Sequence, residues 1–238
     1  MIKTIMLLAS LFIASFSLIS KDLSSDIVSL KNGELKISFV GHGSIFFDYK
    51  GYLIYVDPVG RYGDYKKFKD ADLILITHSH GDHLDSIAVK QIEKKGTKIY
   101  LNKESYNILK KGIVLKNTDK IEIDSIKITA VPAYNTTKTQ FHPKERDNGY
   151  ILEIDEKRIY VAGDCENMEE MDKLTGLDIA FLPVNQPYTM TVEQAIEAIN
   201  RMKPKIVYPY HYGDTDVSKI KEYFKDFNDI EIRIRDLK

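Results

Sequence analysis

The stretch ITHSHGDHLD, Ile76 to Asp85, places three histidines and two aspartates in ten positions. It follows the apolar run Leu73-Ile74-Leu75-Ile76 and holds half of the chain's six histidines. A short continuous apolar run of this kind reads as a buried strand. A solvated loop has no need of the polar cluster behind it, and a packed core would not tolerate that cluster unpaired. Along extended backbone, residues two apart project to the same side, so His78 and His80 can aim at one point beyond the strand. Gly81 permits a sharp turn that redirects Asp82 and His83. One short segment thus offers two adjacent metal positions, His78 with His80 and Asp82 with His83.

With 238 residues the chain can build one sizeable core or two small ones. A hydrophobic content of 43% and a charged content of 29% fit a globular protein rather than a disordered one. Lys and Arg number 34 against 35 Asp and Glu, so nothing in the totals recruits nucleic acid. The single cysteine, Cys165, excludes an internal disulfide framework and any thiolate-rich zinc cluster. Any metal must therefore be held by nitrogen and oxygen. At the N-terminus, Lys3 precedes an apolar stretch from Ile5 to Ile19, then Ser20 and the charged Lys21-Asp22. That order reads as a secretory signal peptide, or as an uncleaved membrane anchor. The expected organisation is a signal peptide or anchor at 1–22 and one domain at 23–238. The mature chain would be periplasmic or extracellular, touching membrane only through an uncleaved N-terminus.

Beyond Gly33 no repeat or low-complexity linker interrupts the pattern. ELKISFVGHGSIFFDYKGYLIYVDP (34–58) predicts a β-meander broken at Gly41-His42-Gly43 and Lys50-Gly51. DSIAVKQIEKKG (85–96) has helical spacing that ends at Gly96. Alternation through 119–133 and 150–164 predicts two hairpins, and a helix is expected over Asn167–Leu174. The segment from 179 alternates strand and helix, with one helix begun at Thr191. Helices scattered between strands of mixed sheets imply an α/β (α+β) domain in layers.

The remaining histidines also fall at predicted strand ends or in loops: His42 between two glycines, His142 before Pro143, and His211 after the strand KIVYPY. Asp164 closes IYVAGD, where a carboxylate could bridge two ions. Ligands gathered on loops at one rim of a sheet would be distributed in this way. Imidazole with some carboxylate suits Zn²⁺, Fe²⁺ or Mn²⁺. Imidazole ligands also need acceptors to fix their tautomers, and Thr77, Ser79 and Asp85 lie close in sequence. Cys165 reads as a buried filler, and alternating Tyr208, Tyr210 and Tyr212 read as core.

His78-Ser79-His80-Gly81-Asp82-His83 resembles the metal-binding motif of the metallo-β-lactamase fold superfamily. Asp164 and His211 follow in the order that superfamily uses. GHGSIFFDYKGYLIYVDP is similar to its opening strands, in particular those of the small metal-dependent hydrolase or ascorbate-phosphate lactonase-like branch. The resemblance covers residues 33–213 and implies a four-layer αβ/βα sandwich with a dinuclear centre at the edge of two facing sheets. By position it implies His78 and His80 on one metal, Asp82, His83 and His211 on a second, and Asp164 between them. The superfamily usually supplies a further histidine to the first metal, where VPAYN here ends in Asn135. Either Asn135 donates an oxygen or His142, seven residues on, reaches the site. His42 would line the cleft or support a ligand.

The expected cofactor is two divalent ions, Zn²⁺ first, with Mn²⁺ or Fe²⁺ as alternatives. A metal-bound water ionises near neutral pH and could attack a small ester, lactone or phosphodiester, with Asp82 orienting it or taking its proton. The fold alone does not assign the substrate. The rivals are a β-lactamase, a nuclease of the same fold, and a non-catalytic metal- or partner-binding module. Turnover of a chromogenic cephalosporin, a basic surface groove and metal content separate these.

Overall fold

The structure is a computed structural model that describes residues 23–238. The expected export segment at 1–22 lies outside the described residues. Among the described residues no helix is long and apolar enough to cross a membrane.

Two seven-stranded sheets face each other. The first runs in chain order through β1 (Ser25–Ser29), β2 (Glu34–Gly41), β3 (Ser44–Tyr49), β4 (Tyr52–Val56), β5 (Ala71–Leu75), β6 (Glu93–Leu101) and β7 (Ile113–Val114). The second comprises β8 (Lys120–Ile123), β9 (Ile126–Ala133), β10 (Asp147–Ile154), β11 (Lys157–Val161), β12 (Ile179–Pro183), β13 (Ile206–Tyr210) and β14 (Glu231–Ile232), also adjacent in chain order. Each sheet begins as an antiparallel meander and continues in parallel once helices intervene, because parallel strands need a crossover.

Side-chain alternation sorts the layers. In the first sheet Leu35, Ile37, Phe47, Ile54, Val56, Leu73 and Leu75 pack inward into the core shared with the second sheet. Leu53, Tyr55, Ile74, Ile76, Ile99 and Leu101 pack outward against α1 (Ser86–Ile92) and its surroundings. Strands apolar on both faces explain the unbroken run Leu73–Ile76. The outer face of the second sheet is covered by α3 (Val192–Met202) and α4 (Ser218–Tyr223), which bury Ala195, Ala198, Ile199 and Ile220. The result is the expected four-layer sandwich.

Several expectations needed correction. The helix expected over 85–96 stops at Ile92, and Glu93 already begins β6. The segment 167–174 forms a 3₁₀ turn at Glu169–Lys173, not an α-helix. The strand β1 lies before Gly33, where none was expected; its inward-facing positions are only half-buried. The helix begun at Thr191 forms as expected, with a capping box between Thr191 and Gln194. Both predicted hairpins form, each on a tight turn with two consecutive positive-φ residues, Asp124-Ser125 and Asp155-Glu156. Tyr208, Tyr210 and Tyr212 are buried, as is Cys165.

The sheets are joined at one rim. Asn148 N donates to Thr77 O at 3.0 Å, Tyr150 Oη donates to Ile76 O at 2.7 Å, and His211 N donates to His42 O at 3.2 Å. The polar residues that follow β5 therefore sit on backbone fixed from both sheets.

Candidate metal centre

All six histidines converge at that rim. His78, His80 and His83 follow β5, His42 sits in the β2–β3 turn, His142 in the β9–β10 loop and His211 after β13. Three sets of donor atoms each lie within 4.8 Å of one another: His78, His80 and His142; His42, Asp82, His83 and His211; and His78, His83 and Asp164. Asp164 is central. Its Oδ2 is 3.1 Å from His211 Nε2, 3.5 Å from His142 Nε2 and 4.0 Å from His78 Nε2, while its Oδ1 is 3.3 Å from His83 Nε2. Asp82 Oδ2 lies 3.5 Å from His211 Nε2 and 3.2 Å from His42 Nε2.

Acceptors behind the rings decide which nitrogen faces inward. Asp57, wholly buried at the end of β4, accepts from Thr77 N at 2.8 Å, Thr77 Oγ1 at 2.6 Å and His83 Nδ1 at 2.8 Å. Because the Thr77 hydroxyl spends its proton on Asp57, it accepts from His78 Nδ1 at 3.0 Å. His142 Nδ1 donates to Asp147 Oδ2 at 3.1 Å. Asp147 is fixed in turn by Arg146 Nε at 2.8 Å, Arg146 Nη2 at 2.7 Å and Asn102 Nδ2 at 3.1 Å. His78, His83 and His142 therefore all turn an Nε2 lone pair toward the cluster, which is how metal-binding imidazoles are set.

The inward atoms have nothing else to bind. His78 Nε2, His83 Nε2, His211 Nε2 and Asp164 Oδ1 are buried without a hydrogen-bond partner among the described residues. Leaving buried polar atoms unsatisfied costs about 1–3 kcal/mol each, so four at one point need a shared cation to offset them. Ligands at about 2.1 Å from an ion stand roughly 3.0–3.4 Å apart; the 3.1, 3.2 and 3.3 Å spacings fall in that range, and the others run from 3.5 to 4.0 Å. The donor set fits a divalent metal centre.

Without metal the groups compensate one another. Burial opposes charge on His83 and His211, but the Asp164 carboxylate outweighs it, raising His83 well above the ordinary range and His211 to about 9. Burial also opposes ionisation of Asp164, yet His211 and His83 hold its carboxyl well below the usual range. His78 is pushed down by burial, then by the neighbouring His83.

Asn135 and His142 are linked through the β9–β10 loop. Asn135 N donates to His142 O at 2.8 Å, and its Nδ2 donates to Tyr188 O at 2.7 Å and Lys138 O at 3.2 Å. It ties down the loop that brings the His142 ring beside those of His78 and His80, at 5.0 and 4.8 Å between centroids. Its Oδ1 is buried without a partner among the described residues. Glu166 braces the same loop, accepting from Thr137 N at 2.7 Å and Thr136 Oγ1 at 3.0 Å. Of the acceptors suggested by sequence proximity, Thr77 serves. Asp85 instead caps α1 through Ile87 N and Ala88 N. Asp57 was not singled out, although it lies in the stretch 41–58 that resembles the superfamily's opening strands; Asp147 was expected only as part of the charged loop Lys144–Asp147 after His142, and its bond to that ring was not foreseen.

A family model described as a β-lactamase superfamily domain matches residues 36–211. A UPF0173 metal-dependent hydrolase of Pyrococcus abyssi is 33% identical over 210 residues, covering 80% of this chain and 91% of that protein. A crystal structure from Parabacteroides distasonis, provisionally designated a metal-dependent hydrolase, is 52% identical with a TM-score of 0.88, covering 91% of this chain and 100% of that one. Igni18, a metallo hydrolase of Ignicoccus hospitalis, is 26% identical with a TM-score of 0.72, over 85% of this chain and 95% of its own. With its sandwich, its rim of imidazoles and these relatives, the chain belongs to the β-lactamase superfamily and, within it, to the UPF0173 metal-dependent hydrolases.

Proposed function

We propose that the protein is a hydrolase with a dinuclear centre that cleaves a small ester, lactone or phosphodiester. The observation that carries this reading is the convergence of the unsatisfied Nε2 atoms of His78, His83 and His211 around Asp164, with His78 and His83 oriented by Thr77 and Asp57 and the neighbouring His142 by Asp147. His78, His80 and His142 would hold one ion, Asp82, His83 and His211 the second, with Asp164 shared. The all nitrogen-and-oxygen donor set favours Zn²⁺, with Mn²⁺ or Fe²⁺ as alternatives. Divalent ions there would supply Lewis acidity and bring the pKa of water toward roughly 7. His80 and Asp82 are the partly exposed members of the set and mark the side open to substrate. Asp82 would orient the attacking water. Burial works against its ionisation, but hydrogen bonds from His211 and His42 overcome this and keep it a carboxylate.

The balanced charge of the chain supports a small-molecule substrate rather than nucleic acid. Lys3 with the apolar stretch Ile5–Ile19 supports export to the periplasm or exterior. The test is a panel of aryl esters, lactones and bis-aryl phosphodiesters assayed with Zn²⁺-, Mn²⁺- and Fe²⁺-loaded protein. Turnover of one class that disappears in His80→Ala is expected. Metal-loaded protein inert to all three classes would overturn the reading.

A further inference from the structure

His42 stands outside the ligand set assigned above, yet its ring is held as firmly as those inside it. The residue adopts a left-handed φ of 54° between Gly41 and Gly43. A Cβ at Gly43 would lie 2.7 Å from His83 Cε1, so this turn packs directly on the His83 ring. The His42 ring stacks on Tyr62 at 5.0 Å and 16°, and its centroid is 3.7 Å from that of His211. Its Nδ1 lies 3.1 Å from the backbone carbonyl of Lys238.

The Lys238 oxygen only accepts, so Nδ1 carries a hydrogen toward it, and the ring turns Nε2 toward the other donors of the rim. Nε2 lies 3.2 Å from Asp82 Oδ2. The distance is that of neighbouring ligands on one ion, and His42, Asp82, His83 and His211 form one of the convergent donor sets.

We propose that His42 is a protein ligand of the second metal position, with its tautomer set by the Lys238 carbonyl. This rests on the dinuclear reading above. The two positions then differ in kind. The second has four donors of its own in addition to Asp164 and approaches a closed, structural site. The first has three imidazoles with Asp164. The second ion should be the tighter-bound one.

The experiment is Co²⁺ titration of metal-stripped full-length protein, followed by calorimetry and visible absorption. Wild type should bind two ions with unequal affinity. His42→Asn, chosen because Asn tolerates left-handed backbone, should weaken the tighter site by at least about tenfold, the lower bound for disturbing a ligand's surroundings, and change its spectrum. His80→Ala should weaken only the other site. In unmutated protein, ¹⁵N shifts should show His42 Nδ1 protonated and Nε2 moving to a metal-bound value on Zn²⁺ loading, a readout that does not depend on a variant folding. If wild type binds two ions while His42 Nε2 does not shift, or folded His42→Asn keeps both affinities and its spectrum, His42 is not a ligand and the dinuclear reading stands. If wild type binds none, the dinuclear reading itself falls.

Discussion

Asp57→Asn tests how the centre is held from behind. The carboxylate accepts three hydrogen bonds, two from Thr77 and one from His83 Nδ1, and its side chain is fully buried. An amide of the same shape has one oxygen and one NH₂. If the oxygen keeps Thr77 N, the NH₂ meets both His83 Nδ1 and Thr77 Oγ1, which must become acceptors. The ring then holds its proton at Nε2 alone, the nitrogen that faces Asp164 and would bind metal. If the amide turns the other way, the NH₂ opposes Thr77 N–H and leaves a buried donor unpaired. Either arrangement costs about 1–3 kcal/mol. Such partners behind ligands are worth about 10–100-fold in metal affinity, or roughly 1.4–2.7 kcal/mol at 1.36 per decade. Competition with a chromophoric chelator should show a loss of that size on the ion held by His83, with the His80 ion less affected. ¹⁵N spectra of the metal-free variant should show His83 Nδ1 without a proton, where the wild-type ring is protonated at both nitrogens. Affinity within twofold of wild type, with His83 still protonated at Nδ1, would refute the tautomer argument.

Other perturbations follow from the same geometry. His83 and His211 are raised in the metal-free chain, His211 to about 9, so both carry a proton at pH 7 that a metal must displace. Calorimetry in buffers of different ionisation enthalpy should report release of about two protons per fully loaded chain at pH 7, and affinity should rise with pH until His211 is neutral near 9; proton-neutral binding would contradict this. Gly43→Ala would drive a Cβ to 2.7 Å from the His83 ring, which Asp57 prevents from moving; a loss of about 1–3 kcal/mol in thermal or urea unfolding and a weakened second site are expected, and wild-type stability would count against the packing described. Asp147→Asn should weaken the His142 ion by about 10–100-fold and spare the ion at His83, as read by the same chelator competition; equal loss at both would show that Asp147 acts only through general stability.

The sequence was most legible where one segment carries the information locally. Residues 78–83 contain their own geometry: an apolar run that must be buried, side-chain alternation at its end, and a glycine turn. The two hairpins were legible for the same reason, alternation around a tight turn. The end of α1 was not, because Glu93-Lys94-Lys95 suits a helix in isolation and becomes strand only through pairing with β5. β1 was missed because SDIVS pairs along β2 with its inner residues only partly covered, so its apolar signal is weak. At the site, Asp164 and His211 were found through their order after the motif, and His142 as a loop histidine with no other role. Asp57 reaches His83 across 26 residues and Asp147 belongs to a charged loop. Neither carries a local pattern that would announce its bond to a histidine ring.

On the reading proposed above, two ions are held by seven residues, His142 among them and Asn135 not, with His42 as a further ligand. The direct measurement is elemental analysis of metal per chain after reconstitution and desalting, on wild type, His142→Ala and Asn135→Ala. The account predicts two ions in wild type, two in Asn135→Ala and one in His142→Ala. Two ions retained by His142→Ala, or a loss confined to Asn135→Ala, would contradict it.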